Sequence, residues 1–180
     1  MPQAIFIDRD GTIGGTDQVV YPGEFQLFPN VEDSINRLKE AGILVFSFTN
    51  QPGISKGEAL REDFEKELKG FGFDKVYLCP HQHNEGCKCR KPSIGMLLQA
   101  AQDNQLILNE CVVIGDRWTD ILAAHDAGCV KILVKTGAGQ DAYKKHQNQE
   151  YTGKWADVSP DFFANNFQEA VNWIMTNLCK

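Results

Sequence analysis

The sequence predicts an α/β fold, a three-layer doubly wound parallel sheet, from three observations. Short apolar runs recur at Ala4 to Ile7, Ile43 to Thr49, Lys75 to Leu78, Cys111 to Ile114 and Lys131 to Val134. Segments with helical spacing separate most of them, an alternation that implies parallel pairing through βαβ units. The 180 residues suffice for a core with helices on both faces, within one domain spanning 1–180.

The first strand, Ala4 to Ile7, is apolar throughout, as a strand buried on both faces must be, and it stops at Asp8-Arg9-Asp10-Gly11-Thr12. Two acids one residue apart at the carboxyl end of a strand lie where open α/β sheets bind ligands. Their mutual repulsion calls for a bound cation, a proton on one of them, or both. The plainer alternative is an Asp-Gly turn closing a hairpin. Asn30 is expected to cap the next helix with Asp33 in the capping-box position, Val31, Ile35 and Leu38 to form its apolar face, and Gly42 to end it.

The second strand ends in Thr49-Asn50-Gln51, and Pro52-Gly53 break the chain. Glu58 to Lys69 reads as a charged helix with Leu60, Phe64 and Leu68 inward. The third strand delivers a cysteine-histidine cluster, after which Ser93 opens a helix with Ile94, Leu97, Leu98 and Ala101 on one face. Strand four runs into Gly115-Asp116 and Asp120, ahead of a helix carrying Ile121 and Leu122, and strand five follows Gly128. The stretch 136–155 shows no period and is expected to be a mobile loop. Phe167, Ala170, Val171, Ile174, Met175 and Leu178 mark a final helix.

A net charge of -6 argues against non-specific binding to nucleic acid or anionic membrane. With no basic leader and no long apolar run, a cytoplasmic monomer acting on a small metabolite is expected. Of six cysteines, three fall in a short window beside a histidine, which favours metal binding in a reducing compartment over disulfides.

Three strand ends converge: Asp8 and Asp10, Thr49 and Asn50, Asp116 and Asp120. Carboxylates gathered from separate strands suit octahedral Mg²⁺, which then needs an anion. Thr49 offers a hydroxyl to a phosphoryl oxygen, and Arg90-Lys91, just before a helix start, offer positive charge. Taken singly, Thr49 reads equally as a β-branched strand residue, Lys91 as a solvated lysine and Asp120 as a helix N-terminal acid. Cys79-x-His81-x5-Cys87-x-Cys89, inside a loop at 79–92, supplies the four ligands of a closed structural Zn²⁺ site, with His83 as a competitor for His81 and a reduced surface loop as the duller reading. Cys111 and Cys129 read as buried thiols and Cys179 as an inert terminal one, while His125 and His146 receive no role.

In this order, Asp8-Arg9-Asp10-Gly11-Thr12, Thr49, Lys91 and Gly115-Asp116 with Asp120 resemble the four motifs of the haloacid dehalogenase (HAD) superfamily of phosphatases. With Thr49-Asn50-Gln51, Cys79-Pro80-His81 and Cys87-x-Cys89-Arg90-Lys91-Pro92, the resemblance is closest to the branch containing the D-glycero-D-manno-heptose 1,7-bisphosphate and histidinol-phosphate phosphatases. It implies a HAD-like, Rossmann-like fold without a large cap domain, and a zinc loop in which His81 is favoured over His83. Asp8 would be the nucleophile and Asp10 the acid/base. Mg²⁺ would be held by Asp8, the Asp10 backbone carbonyl and Asp116, with Asp120 ordering its surroundings, while Thr49, Asn50 and Lys91 grip the phosphoryl group. Gln51 and Arg90 would contact substrate. Gly14-Gly15, Pro52 and a short loop between the zinc-ligand pairs depart from the branch pattern where the leaving group would rest. A sugar bisphosphate is the expected substrate. Alternatives are histidinol phosphate, a nucleic-acid 3′ end, and, in a different class, a non-catalytic zinc-stabilised binding module. Asp10 discriminates against the last, since a module that only binds needs no acid/base.

Overall fold

Every strand expected from an apolar run is present in the computed structural model, which describes residues 1–180, and a sixth is added at the edge. β1 (Ala4–Ile7), β2 (Leu44–Asn50), β3 (Lys75–Cys79), β4 (Cys111–Gly115), β5 (Val130–Val134) and β6 (Phe162–Ala164) form one sheet in the order β3-β2-β1-β4-β5-β6. All five pairings are parallel. The strand order reverses direction between β1 and β4, the place where α/β sheets open a crevice at their carboxyl edge. Ile7 pairs with both Ser47 and Ile114, so β1, β2 and β4 deliver their following residues at one level.

The period of two sorts strand side chains between two apolar layers. Ile5, Ile7, Val45, Val112, Ile114, Ile132 and Val134 pack in one layer with α1 (Val31–Glu40) and α6 (Phe167–Asn177). Ala4, Phe6, Phe46, Phe48 and Val113 pack in the other with α3 (Gly95–Asn104) and α4 (Trp118–Ala127). α2 (Arg61–Gly70) adds Leu68 to the first layer. Between β1 and α1 the chain has only two isolated bridges, Asp10 with Gly14 and Gly14 with Leu27, and no element of a cap. No helix is long and apolar enough to cross a membrane.

Four local expectations are corrected. The stretch 136–155 is not devoid of structure: it contains α5 (Gly139–Gln147) and a 3-10 turn at Gly153–Trp155. α5 buries only Gly139 and Ala142, so it leaves no apolar period in the sequence. Asn30 does not cap α1 with its side chain. It adopts φ 65°, and its carbonyl accepts from the Ser34 hydroxyl (2.7 Å). Leu60 lies before α2 and is 61% exposed, leaving Phe64 and Leu68 as the inward residues. In α3 the buried residues are Met96, Leu97 and Ala100, whereas Leu98 is 52% exposed.

Candidate active site

Asp8 follows β1 directly, and its N–H donates to Ile114 O of β4 (3.0 Å), so it stands at the crevice. Asp116 leaves β4, and Asp120, in the first turn of α4, accepts at Oδ2 from the Arg117 N–H (3.1 Å). One oxygen from each of these three acids lies within 4.8 Å of the others, and all three side chains are buried. Lys91 reaches in from the loop before α3: its Nζ lies 3.0 Å from Asp8 Oδ1 and 2.6 Å from Asp120 Oδ1, and it donates to Phe48 O (2.7 Å). Burial works to lower the lysine's pKa, but the Asp120 and Asp8 charges outweigh it and raise the value.

Three buried carboxylates against one ammonium leave uncompensated negative charge. Burial, then the charges of Asp8 and Asp120, push the Asp116 carboxyl well above its usual range. Burial likewise pushes Asp120 up to about 6, against the opposing charge of Lys91. Thr12 Oγ1 (3.1 Å) and the Ala138 N–H (2.8 Å) donate to Asp116, but neutral donors do not cancel a charge. A cation would. An all-oxygen donor set is the kind Mg²⁺ prefers, so these residues fit that ion. Gly11, at φ 81°, and Gly137 lie so close to Asp116 Oδ2 that a Cβ on either would clash with it.

Asp10 lines the same cleft, but a separate network holds it. Its Oδ1 accepts from Arg9 Nη1 (2.8 Å) and the Val20 N–H (3.0 Å), and its Oδ2 from Gln51 Nε2 (2.7 Å). Burial raises this carboxyl above its ordinary range, with the Arg9 charge acting in the opposite direction. Burial that favours the protonated form suits a general acid. Gln51 itself requires a correction. Its N–H bonds to Cys79 O (2.7 Å), which prolongs the strand pleat and turns Gln51 inward with Thr49. It is 0% exposed, its Nε2 also donates to Thr49 Oγ1 (2.9 Å), and it does not line the cleft.

Thr49, Asn50, Arg90 and Lys91 line the cleft as expected, around a volume of about 570 Å³. Asn50 also fixes the Lys91 backbone, accepting from its N–H at Oδ1 (3.1 Å). Arg90 is half-buried and donates from Nη1 to His81 O at 3.4 Å, a long bond that leaves most of its donors free. The opposite wall, which the sequence did not disclose, consists of Arg117, Trp118, Lys145, Tyr151 and Trp155. Trp118 stacks on Tyr151 (centroids 4.5 Å apart) and donates from Nε1 to Trp155 O (3.0 Å). Only Arg117 and Trp118, between Asp116 and Asp120, lay within a recognisable motif.

Beside the cleft, ligand atoms of Cys79, His81, Cys87 and Cys89 lie within 4.8 Å of one another, and all six cysteines are free. Sγ of Cys79 is 3.1 Å from that of Cys89 and 3.6 Å from that of Cys87, and His81 Nδ1 is 3.1 Å from Cys89 Sγ. These spacings approach the roughly 3.6–3.8 Å edges of a tetrahedron with zinc-ligand bond lengths. Three thiols and one imidazole so disposed fit Zn²⁺, and His81 rather than His83 belongs to the cluster. His83 lines the cleft instead.

A model of haloacid dehalogenase-like hydrolases matches residues 14–128, and one of HAD-hydrolase-like proteins matches 88–170. The chain belongs to the haloacid dehalogenase-like hydrolases. Both matches begin after Asp8 and Asp10, so the roles of those two acids in this hydrolase rest on the geometry above. The D-glycero-D-manno-heptose-1,7-bisphosphate 7-phosphatase of Thermosynechococcus vestitus is 35% identical over 99% of this chain and 98% of its own. The D-glycero-beta-D-manno-heptose-1,7-bisphosphate 7-phosphatase of Yersinia pestis is 36% identical over 74% of this chain and 81% of its own. Among solved structures, the D,D-heptose 1,7-bisphosphate phosphatase from B. bronchiseptica, complexed with magnesium and phosphate, is similar at a TM-score of 0.80 and 27% identity, covering 97% of this chain and 98% of that one.

Proposed function

We propose that this chain is a Mg²⁺-dependent phosphomonoester hydrolase that works through an aspartyl-phosphate on Asp8, with D-glycero-D-manno-heptose 1,7-bisphosphate as its substrate. In this reading it is a cytoplasmic monomer whose zinc is structural. The observation that carries the chemistry is the pairing of two differently held acids in one cleft: Asp8 against Lys91 and the acid cluster, Asp10 in a bonded network of its own. The names of the relatives support the choice of sugar.

Asp8 attacks phosphorus while Asp10 gives its proton to the departing alkoxide, and the ionised Asp10 then takes a proton from the water that cleaves the aspartyl-phosphate. Lys91 and the Thr49 hydroxyl neutralise and orient the phosphoryl oxygens. Asp8, the Asp10 carbonyl and Asp116, with Asp120 behind them, would hold Mg²⁺, which would supply positive charge to those oxygens. Asp120 meets Lys91 directly (2.6 Å), so it also aims the lysine. The reading is tested by phosphate release from the purified protein with Mg²⁺, comparing sugar bisphosphates, histidinol phosphate and 3′-phosphorylated oligonucleotides. Highest kcat/KM on the heptose bisphosphate is expected. Release from none of them would overturn the reading.

Two predictions follow from the site's charges. Arg90→Ala should lower kcat/KM about tenfold or more for bisphosphates, the loss of one charge-assisted hydrogen bond, and less for monophosphates. Equal losses would make Arg90 a brace for the zinc loop. The second concerns pH. A carboxyl raised above its unfolded value binds more protons when folded, so the ion-free fold loses stability as pH rises from 3.8 through about 6, the window set by Asp120. Mg²⁺ needs the ionised acids, so its stabilisation should appear over the same window. At a hundredfold Kd it is worth about 2.7 kcal/mol, on the order of 5–10 °C in Tm at about pH 7.5, and should largely vanish near pH 4. Thermal melts with and without Mg²⁺ across pH check this.

A further inference from the structure

Arg9 stands between the two motif acids, where sequence alone would leave it a surface cation, yet its side chain is 0% exposed. Its guanidinium lies between the rings of Phe25 (3.8 Å to centroid) and Phe64 (4.9 Å). Nε donates to Glu67 Oε2 of α2 (2.9 Å), and Nη2 lies 2.8 Å from the same oxygen without hydrogen-bond geometry. Nη1 donates both to Asp10 Oδ1 (2.8 Å) and to Val20 O (2.7 Å), and the Val20 N–H returns to Asp10 Oδ1 (3.0 Å). One buried cation therefore joins α2, the 10–28 loop and the Asp10 carboxyl. Such an arrangement is costly to desolvate and is stable only because every charged group in it is paired.

A carboxylate oxygen offers two lone-pair sites. Arg9 and Val20 fill both on Asp10 Oδ1, whereas Gln51 fills one on Oδ2. The only open site is therefore on Oδ2. We infer that Arg9, braced by Glu67 and clasped by Phe25 and Phe64, is a positioning residue that fixes the Asp10 carboxyl so that Oδ2 alone exchanges protons with the leaving group and the attacking water.

The inference rests on the acid/base role proposed above for Asp10. In the first half-reaction the bond from phosphorus to the alkoxide oxygen breaks, the phosphoryl group bonds to an Asp8 carboxylate oxygen, and the proton on Asp10 passes to the alkoxide. In the second, a water oxygen bonds to phosphorus, the bond to Asp8 breaks, and Asp10 regains a proton. A nitrophenolate leaves without needing that proton, but hydrolysis of the aspartyl-phosphate still needs the base. Misplacing Asp10 therefore affects the two kinds of ester differently, whereas a merely structural defect would affect both alike.

The experiment compares wild type, Arg9→Lys, Glu67→Gln and Asp10→Asn on the best sugar phosphate and on 4-nitrophenyl phosphate in saturating Mg²⁺. For Arg9→Lys, kcat/KM on the sugar phosphate should fall roughly ten- to a hundredfold, as misplacement by about 1 Å does. With the nitrophenyl ester, kcat/KM should change by less than about threefold, and a burst of about one nitrophenolate per chain should mark accumulated aspartyl-phosphate. Glu67→Gln should show the same split in weaker form. It keeps the size of the side chain, so it carries the test should Arg9→Lys fail to fold, which near-UV circular dichroism reports. Equal losses on both esters in folded variants, or a change in KM alone, would overturn the inference. Wild type inactive on both esters, or Asp10→Asn without the split, would overturn the acid/base reading and the inference with it.

Discussion

Asp8→Asn will abolish turnover of every phosphomonoester and leave the protein folded. In the proposed mechanism the nucleophile is replaced by a group of the same shape that cannot form the aspartyl-phosphate, and losses on the order of ten-thousandfold or more are usual when a covalent nucleophile is removed. Stability should not suffer, because Asp8 adds to the negative charge around Asp116 and Asp120. Lys91 has two partners that the substitution does not touch, Asp120 (2.6 Å) and Phe48 O (2.7 Å). The melting temperature should stay within about 4 °C of wild type, roughly 1 kcal/mol for a chain of this size. Phosphate release and a thermal melt check both halves, and substantial residual turnover would rule out the covalent route.

Loss of zinc should lower activity without removing any catalytic group. Cys89 immediately precedes Arg90 and Lys91, with Cys87 two residues earlier, and Arg90 touches the loop again at His81 O. With the four ligands free, no metal bond ties Cys89 to Cys79, and both basic residues lose the anchor next to them in the chain. Lys91 is still held by Asp8, Asp120, Asn50 and Phe48 O, whereas Arg90 keeps only its long bond to His81 O in the same loop. Cys87→Ser and Cys89→Ser in saturating Mg²⁺ should therefore lose on the order of ten- to a hundredfold in kcat/KM, with the larger loss on bisphosphates. About one zinc per chain should survive dialysis of the wild type, since a site of three thiolates and a histidine releases its ion slowly to weak competitors. Full activity in both variants, or a wild type free of zinc, would leave the loop without this role.

Much of the site was legible because its signals are local. An apolar run that ends in acids announces Asp8 and Asp10, and a similar run announces Asp116. The zinc ligands fall within one short loop whose spacing is itself the signal. What stayed hidden depends on residues far apart in the chain. Arg9 is buried because Glu67, 58 residues on, and two phenylalanine rings enclose it, and nothing beside it in sequence says so. Gln51 lay in a motif that implied substrate contact, but the prolonged pleat of β2 turned it behind Asp10. α5 was missed because it lies over the sheet edge and buries few residues, and β6, at three residues, is too short to show a period of two.

The strand order has a kinetic side as well. Lys91 meets Asp8 across 83 residues, and Thr12 meets Asp116 across 104. Contacts this remote form only after a large loop-closure cost, and chains dominated by them fold in milliseconds to seconds rather than microseconds. The acid cluster is therefore assembled when the sheet closes and is absent from a partly folded chain. A cation that recognises only the closed cluster has nothing to hold before the folding barrier is crossed. Its binding energy then belongs to the native side of that barrier, slowing unfolding while leaving the folding rate unchanged. The ion that enables the reaction would also lengthen the lifetime of the fold.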